Sequence, residues 1–498
     1  MDALFDPLAA LVAPALTRSS LFIRVPASQP SLRHLFSVTV AVLFFFPFED
    51  IFRVLPTPCE YPATYFIAKY DKSSKMPWIV FVIVMGHLTV NHVIRAIYGT
   101  SYETMEVTGP QMVLTMKLTT FAWNVYDGRR KEEELDKWQL SKRVTKYPSI
   151  LEFLGYSFYF PGILVGPYLD FAEYMDLVNE TMFLASRRSV QAYTRMLLGL
   201  IYLGVFVVLG PTYNYACCFD TLVASKSLLN RIIYFQAFGP VERCKYYAIW
   251  TLTRVPVSSL VSGFTGFGPH GEAHWDGAAN VKVLTIELPS NFKVLLDAWN
   301  MKTNVWLREC VYKRVTPKGK KPGNTSQMIT FFTSAFWHGI AGGYYMTFLM
   351  GGFITAAARQ ARTLIRPFFA PAEGKPTTLT KRVYDLVTVV LSIMILNYAA
   401  APFIIGGALD SVATWKLLGW YGHVIVFGGL LFFYLGGAKF LKGLQRQMGI
   451  VVPSRGPKPA TGAPAKNGSA VSSGTATPIN EKNFVLPPSV DKLVPPPQ

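Results

Sequence analysis

The sequence predicts an all-α, polytopic integral membrane protein built as one bundle of spanning helices. Its 498 residues are 51% hydrophobic and only 16% charged, whereas soluble domains carry about 25% charged residues. Apolar windows recur along the chain, and a transmembrane helix needs a stretch of about 20 such residues. We therefore expect a single membrane domain rather than several soluble domains.

The charged residues are distributed as in a membrane protein. Lys and Arg outnumber Asp and Glu by 48 to 30, for a net charge of +18, and the basic residues gather in short loops beside the apolar windows. This pattern sets membrane orientation and attracts acidic headgroups. The expected partner is thus the lipid bilayer, and nucleic-acid binding gains little support. Five cysteines without repeated CxxC spacing indicate neither a disulfide framework nor a metal site.

The chain divides into three regions. Residues 1–33 mix Leu, Ala and Pro with three arginines and are expected to lie in the membrane interface. Residues 34–445 hold the apolar windows and form the predicted multi-pass domain. Residues 454–498 are rich in Pro, Gly, Ser, Thr and Ala and predict a disordered tail.

The apolar windows place the predicted spans in order along the chain. One stretch, Leu154–Tyr168, is interrupted by glycines and prolines, which predicts a broken or re-entrant element shielded by protein. The other windows are Leu35–Phe48, Trp78–Ile94, Met112–Val125, Met196–Phe219, Leu386–Leu409 and Leu417–Ala438.

A polar stripe runs along one face of the second window. His87, Asn91 and Arg95 are spaced four residues apart and share one helical face. Polar groups inside a membrane bundle usually bond to neighbouring helices. We therefore favour interhelical hydrogen bonding over catalysis for this stripe.

One uncharged segment carries a single histidine. No Asp, Glu, Lys or Arg occurs between Lys321 and Arg359, so His338 is the one strong proton acceptor in a segment long enough to cross a bilayer. It should face a cavity or a polar partner. It could act as a general base at neutral pH, with Ser334 one turn earlier orienting the ring, or it could pack as a structural histidine. The residues alone leave both possibilities open.

A basic loop precedes this segment. Asn300 could polarise a carbonyl or simply cap the loop. Its basic neighbours could bind the phosphates of an anionic substrate such as a coenzyme A thioester, although a loop at the membrane surface would have the same composition. These neighbours are Lys302, Arg308, Lys313, Arg314, Lys318, Lys320 and Lys321. Walker-type, HExxH and GxSxG motifs are absent, so the chemistries that they support are not indicated.

Several ordered segments together resemble a known family. Residues 337–348 read WHGIAGGYYMTF and match every fixed position of a WHGxxxGYxxxF pattern, residues 242–250 read ERCKYYAIW, and residues 299–307 read WNMKTNVWL. With VYDG at 125–128, they resemble the membrane-bound O-acyltransferase family in its lysophospholipid acyltransferase branch, fungal type. The resemblance covers residues 80–440. It departs at Gly342, where many relatives have proline.

The resemblance implies a multi-helix bundle around a central reaction chamber in which His338 and Asn300 meet. It implies transfer of an acyl group from acyl-CoA, as co-substrate, to the free hydroxyl of a lysophospholipid. His338 would be the general base, and Asn300 would polarise the thioester carbonyl. No bound cofactor or metal is implied, and the expected location is the endoplasmic reticulum membrane.

The remaining residues of the matched segments are assigned to substrate binding, with helix packing as the alternative for the aromatic ones of residues 242–250. By charge alone, Arg243 could pair with the lipid phosphate. The assigned residues are Trp299, Asn304, Trp306, Arg243, Tyr246, Tyr247, Trp250, Trp337, Gly339 and Tyr344.

Two other functions stay open at this point. One is a relative that acylates a sterol, diacylglycerol or protein, and the other is a non-catalytic transporter or scramblase in which His338 lines a pathway. The sequence gives neither the preferred headgroup and acyl chain nor the oligomeric state. The positive-inside rule places the basic loops in the cytosol, so a glycan on the Asn324 sequon would contradict this topology.

Overall fold

The fold is taken from a computed structural model of the chain. The interfacial segment 1–33, apart from residues 28–33, lies outside the described residues, as do the tail 454–498 and most of the predicted broken stretch. The structure describes residues 28–45, 60–98, 108–159, 162, 169–179, 189–219, 221–259, 266–267, 273–274, 277, 279–317, 319–320, 322–370 and 377–450.

The first half of the described chain is helical, with one 3₁₀ turn at Glu132–Glu134 and another at Tyr215–Phe219. Its α-helices are α1 (Pro30–Phe45), α2 (Glu60–Tyr70), α3 (Met76–Tyr98), α4 (Thr108–Gly128), α5 (Lys137–Lys142), α6 (Ile150–Ser157), α7 (Phe171–Val178), α8 (Ser189–Leu209), α9 (Thr221–Ala224), α10 (Leu228–Phe235) and α11 (Phe238–Ser259).

The second half opens with a two-residue antiparallel hairpin, β1 (Gly266–Phe267) and β2 (Ala273–His274). It also contains π-helical turns at Leu307–Tyr312 and Phe433–Gly437 and a 3₁₀ turn at Arg366–Phe368. The helices are α12 (Val283–Glu287), α13 (Phe292–Ala298), α14 (Met301–Trp306), α15 (Asn324–His338), α16 (Gly342–Leu364), α17 (Leu379–Ile405), α18 (Ala408–Leu417), α19 (Tyr421–Phe432) and α20 (Ala438–Gln447).

The predicted all-α class is confirmed, with the small hairpin as the exception in the described chain. By length and composition, three of the described helices could cross a membrane: Met76–Tyr98, Leu379–Ile405 and the continuous run Tyr421–Gln447. These helices also present exposed large apolar side chains, such as Leu386 and Leu431. Such surfaces suit contact with lipid tails.

Helix α4 lies at the centre of the described bundle. Every residue from Val113 to Val125 is buried, although the stretch includes the amino group of Lys117. This group is accommodated because its Nζ donates to the carbonyls of Tyr156 and Ser157 at the end of α6, and buried polar groups need such partners. Helix α4 contributes to two apolar clusters, one with α2, α3, α6 and α7 and one with α3, α14 and α15.

Short helices near the charged loops begin where their sequences supply caps. Ser149 accepts from the Glu152 N–H at 3.3 Å, and the Glu152 carboxylate accepts from the Ser149 N–H at 2.6 Å. Asp136 and Gln139 form the same reciprocal pair at the start of α5. These capping boxes satisfy N–H groups that a helix start leaves without partners.

Candidate active site

His338 is the last residue of α15, and aromatic side chains pack around its imidazole ring. The Phe348 ring stacks on it with centroids 5.3 Å apart, and the Phe403 and Tyr344 rings lie at 4.8 and 5.8 Å. Ser334 is buried, but no hydrogen bond joins it to this ring, so the structure does not support an orienting role. Within the described chain the ring nitrogens have no hydrogen-bond partner, and the side chain is only partly buried.

The chain turns sharply directly after His338. Gly339 has φ +133°, a conformation that residues with a Cβ rarely adopt, and its N–H donates to the Ala335 carbonyl at 3.2 Å. The Gly343 N–H donates to the Gly406 carbonyl at 2.8 Å. A Cβ on residue 343 would collide with the backbone of α17. The uncharged segment, which is long enough to cross a bilayer as one helix, is therefore two helices, and the histidine lies at their junction.

A second histidine, His92 of α3, holds this junction. It is buried, and its Nε2 donates to the Trp337 carbonyl at 3.3 Å. A Cβ at Gly339 would lie 3.3 Å from His92 Nδ1, so the ring packs against that backbone. His92 thus satisfies a carbonyl that the end of α15 would otherwise leave without a partner. Sequence reasoning missed this residue because it followed the face of His87 instead.

Two tryptophans connect the helix after Asn300 to the His338 helix. The Trp306 indole N–H donates to the Thr119 hydroxyl at 2.9 Å, and the Trp337 indole N–H donates to the Met112 carbonyl at 3.0 Å. Their rings lie 5.5 Å apart, and both are buried. The structure therefore joins α14, α15 and α4 in one rigid contact. The substrate-binding role predicted for these tryptophans stays a prediction.

Asn300 lies between α13 and α14 in a left-handed backbone conformation, with φ 43° and ψ 56°. This conformation costs a residue with a Cβ roughly 1–2 kcal/mol, although Asn tolerates it better than most. Its Oδ1 accepts from Asn280 Nδ2 at 3.1 Å and from the Thr303 hydroxyl at 2.8 Å. Strained residues cluster at functional sites. The geometry therefore supports Asn300 as a site candidate.

The other predicted residues around Asn300 form an aromatic cluster. The Trp299 ring lies 5.3 Å from Tyr246, 6.1 Å from Tyr247 and 5.0 Å from Trp250. Asn304 Nδ2 donates to the Trp299 carbonyl at 2.7 Å. The α11 segment thus packs against the residue that precedes Asn300, and the structure brings these five predicted residues together.

Arg243 makes a buried network with protein groups. Its Nε and Nη2 donate to the two carboxylate oxygens of Glu287 at 2.8 and 2.7 Å, and its Nη1 donates to Asn397 Oδ1 at 2.6 Å. The Tyr247 hydroxyl donates to the same carboxylate at 2.6 Å. This network joins α11, α12 and α17. It favours a structural role over the predicted pairing with a lipid phosphate, because the guanidinium already has a carboxylate partner.

Several basic residues predicted to bind phosphates also have acidic partners. Arg314 Nη1 donates to the buried Asp127 at 2.9 Å. Lys313 pairs with Glu309 and with Asp136, each at 2.6 Å, and although burial raises the pKa of Asp136, the lysine lowers it overall. Lys318 and Lys321 lie outside the described residues. Those partners weaken the prediction for Lys313 and Arg314.

Lys302, directly beside the Asn300 loop, has a longer ion pair. Its Nζ lies 3.8 Å from Glu173, which also binds the buried Lys142 at 2.8 Å. Burial raises the pKa of the Glu173 carboxyl, but the two lysines outweigh it and lower the pKa to about 2. A carboxylate between two cations stays ionised at neutral pH. It ties α5 and α7 to the loop that carries Asn300.

The polar stripe on α3 bonds between helices, as predicted. Asn91 Nδ2 donates to Gln111 Oε1 at 2.7 Å, and Gln111 Nε2 lies 2.9 Å from His87 Nδ1. His87 also pairs with Glu60 of α2. The interpretation of His87 and Asn91 as interhelical hydrogen-bonding groups is therefore confirmed.

The chain is similar in sequence to known proteins. Residues 94–401 match MBOAT, the membrane-bound O-acyltransferase family. The chain is 37% identical to a lysophospholipid acyltransferase of Schizosaccharomyces pombe, covering 82% of each protein. It is 33% identical to a lysophospholipid acyltransferase of Saccharomyces cerevisiae, over 81% of this chain and 70% of that protein. It is 32% identical to the human membrane-bound glycerophospholipid O-acyltransferase 2, over 71% of this chain and 69% of that protein.

Proposed function

This chain belongs to the membrane-bound O-acyltransferase family, and we propose that it moves a fatty acyl group from acyl-CoA to the free hydroxyl of a lysophospholipid. It is a multi-pass membrane acyltransferase. The acceptor follows from the relatives that are named lysophospholipid acyltransferases. The transporter alternative has no such support, and neither does a sterol, diacylglycerol or protein acceptor.

The observation that carries the proposal is the environment of His338. Its ring has aromatic walls on several sides and no hydrogen bond from the described residues. A neutral imidazole nitrogen without a protein partner can accept a proton from a bound hydroxyl. An alcohol is a poor nucleophile until such a base removes its proton, an effect worth about 10² to 10⁴ in rate.

The reaction then needs one base and one oxyanion donor. His338 takes the hydroxyl proton as the oxygen attacks the thioester carbonyl. The side-chain N–H of Asn300 donates a hydrogen bond to the carbonyl oxygen, on which negative charge develops. Collapse of this intermediate forms the ester and breaks the carbon–sulfur bond. The histidine returns its proton to the departing coenzyme A thiolate. The thioester is already activated, so the step needs no covalent enzyme intermediate.

The link between these two residues is part of the proposal. Within the described chain no hydrogen bond joins Asn300 to His338, and the paired rings of Trp306 and Trp337 connect their helices. We propose that both side chains face one chamber, with acyl-CoA entering from the cytosol and the lysophospholipid from the bilayer. The proposed membrane is the endoplasmic reticulum.

The test is an acyl-transfer assay on membranes that contain the protein. Labelled acyl-CoA is offered with lysophospholipids bearing choline, ethanolamine, serine, inositol or no headgroup. Labelled phospholipid should form with at least one acceptor and should disappear in His338→Ala. Inactivity with every acceptor, from protein that is folded and inserted, would contradict the proposed acceptor class.

A further inference from the structure

We propose that Asn280 and Thr303 are positioning residues that turn the Asn300 carboxamide so that its N–H group, and not its oxygen, faces the substrate. The inference rests on the proposed role of Asn300 as the oxyanion donor. Asn280 lies outside the segments that carry the family resemblance, and Thr303 is not a fixed position of the segment in which it lies. Both contact the Asn300 side chain directly.

The orientation begins at a backbone group that can only donate. The Lys302 backbone N–H donates to the side-chain oxygen of Asn280 at 2.9 Å. That contact fixes the Asn280 amide, since its nitrogen cannot accept from an N–H. The Asn280 nitrogen therefore faces Asn300, and the atom that it meets at 3.1 Å must be the Asn300 oxygen.

The Thr303 hydroxyl reinforces this arrangement. It lies 2.8 Å from the same Asn300 oxygen, and its other neighbour, the Met116 sulfur at 3.4 Å, is a weak acceptor. With two donors on its oxygen, the Asn300 carboxamide has both lone pairs engaged. Within the described chain its NH₂ group has no partner, and the residue is partly accessible.

Backbone hydrogen bonds join the segment that contains Asn280 to the segment that contains Asn300. The Met301 N–H donates to the Asn280 carbonyl at 2.9 Å, and the Lys282 N–H donates to the Ala298 carbonyl at 3.0 Å. Asn280 is itself buried. These bonds support the left-handed conformation of Asn300, because such strain persists only where the surroundings over-determine it.

The orientation matters because the two ends of a carboxamide carry opposite partial charges. An N–H aimed at the thioester oxygen stabilises the developing oxyanion, while a carboxamide oxygen there would repel it. Loss of one oxyanion donor costs about 10² to 10³ in rate. A donor that must reorient during the reaction loses part of this benefit, since preorganised dipoles act without reorganisation.

The decisive variant is Asn280→Asp. It has the same shape and can still accept from the Lys302 N–H, but it cannot donate to Asn300. We expect the Asn300 amide to flip and kcat to fall by about 10² to 10³, as for a lost oxyanion donor, with KM for both substrates within about twofold. Thr303→Ser keeps the hydroxyl and should keep kcat, whereas Thr303→Val should lower it by roughly tenfold, the value of one hydrogen bond.

A control variant makes the same Asn-to-Asp change at a helix cap, and the melting temperatures of both variants separate positioning from folding. Asn291 caps α13 by accepting from the Val294 N–H at 3.2 Å, and Asn291→Asp keeps that acceptor, so its kcat should be unchanged. Wild-type kcat in Asn280→Asp would overturn this inference. If Asn300→Ala alone loses activity while Asn280→Asp retains it, the proposed function survives and only the positioning role fails. Full activity of Asn300→Ala would instead refute the oxyanion role itself.

Discussion

His92→Phe tests whether the junction after His338 controls catalysis. The substitution keeps an aromatic ring but removes the Nε2 donor to the Trp337 carbonyl. A buried acceptor left without a partner costs about 1–3 kcal/mol. If the Trp337–Gly339 turn relaxes to find another donor, the imidazole of His338 moves with it, and a full transfer of this cost to the transition state lowers kcat by about 5- to 150-fold.

The assay measures initial rates while acyl-CoA and lysophospholipid are varied separately. We expect kcat to fall in His92→Phe with little change in either KM, because the base moves and the binding surfaces do not. His92→Gln carries an amide N–H that can replace the Nε2 donor, so it should recover much of the rate. A rescue of this kind would show that the hydrogen bond matters rather than the ring.

The control is a partly buried histidine away from the site. His423 of α19 is hydrogen-bonded to the Tyr398 hydroxyl at 2.6 Å, so His423→Phe also loses one hydrogen bond and should lower stability without lowering kcat. Wild-type kcat in His92→Phe, or an equal loss in His92→Gln, would show that this hydrogen bond does not control catalysis.

Two further predictions concern the junction and the charged loop. Gly339→Ala should lose most activity and should destabilise the protein by about 1–3 kcal/mol in thermal unfolding, because φ +133° strains a residue with a Cβ; an unchanged melting temperature and rate would contradict this. Glu173→Gln should destabilise the protein at pH 7 by about 1.5–3 kcal/mol, the value of a hydrogen bond to a charged group. Because the folded pKa of Glu173 is lowered from 4.5 to about 2, its stabilising effect is present above pH 4.5 and disappears as the pH falls towards 2. The wild-type protein should therefore lose its advantage over Glu173→Gln in melting scans at low pH, and a constant difference would be the opposing result.

The fold class could be predicted because lipid leaves few options. Long apolar windows must become helices when no water can satisfy the backbone, and Trp78–Ile94 falls within α3. The window Met112–Val125 also became a helix, but one that is buried from Val113 to Val125. Hydropathy does not distinguish a helix inside the bundle from one that faces lipid.

The junction at Gly339 could not be located in the same way. Apolar composition continues through it, and its break depends on a positive φ together with a close approach of Gly343 to α17. The sequence shows these glycines, but glycine is common in membrane helices and does not by itself mark a helix end. Only the contact with residues far along the chain decides which glycine ends a helix.

His338 and Asn300 were predicted as a catalytic pair through resemblance, and the residues that contact them were not predicted. His92 contacts Trp337 across 245 positions of sequence, and Asn280 meets Asn300 through a turn whose path no periodicity describes. A side chain that acts by holding another leaves no local pattern. The shared role of His87 and Asn91 could be predicted from the sequence, because their four-residue spacing places both on one helical face.

If His338 is the general base of acyl transfer, removal of its imidazole should abolish most of the rate and leave the fold intact. Wild-type protein and His338→Ala are purified in parallel, shown to have the same melting temperature, and assayed with labelled acyl-CoA and an accepted lysophospholipid. Loss of the base should lower kcat by about 10² to 10⁴ while acyl-CoA binding persists. Full acyl transfer by His338→Ala would show that His338 is not the general base.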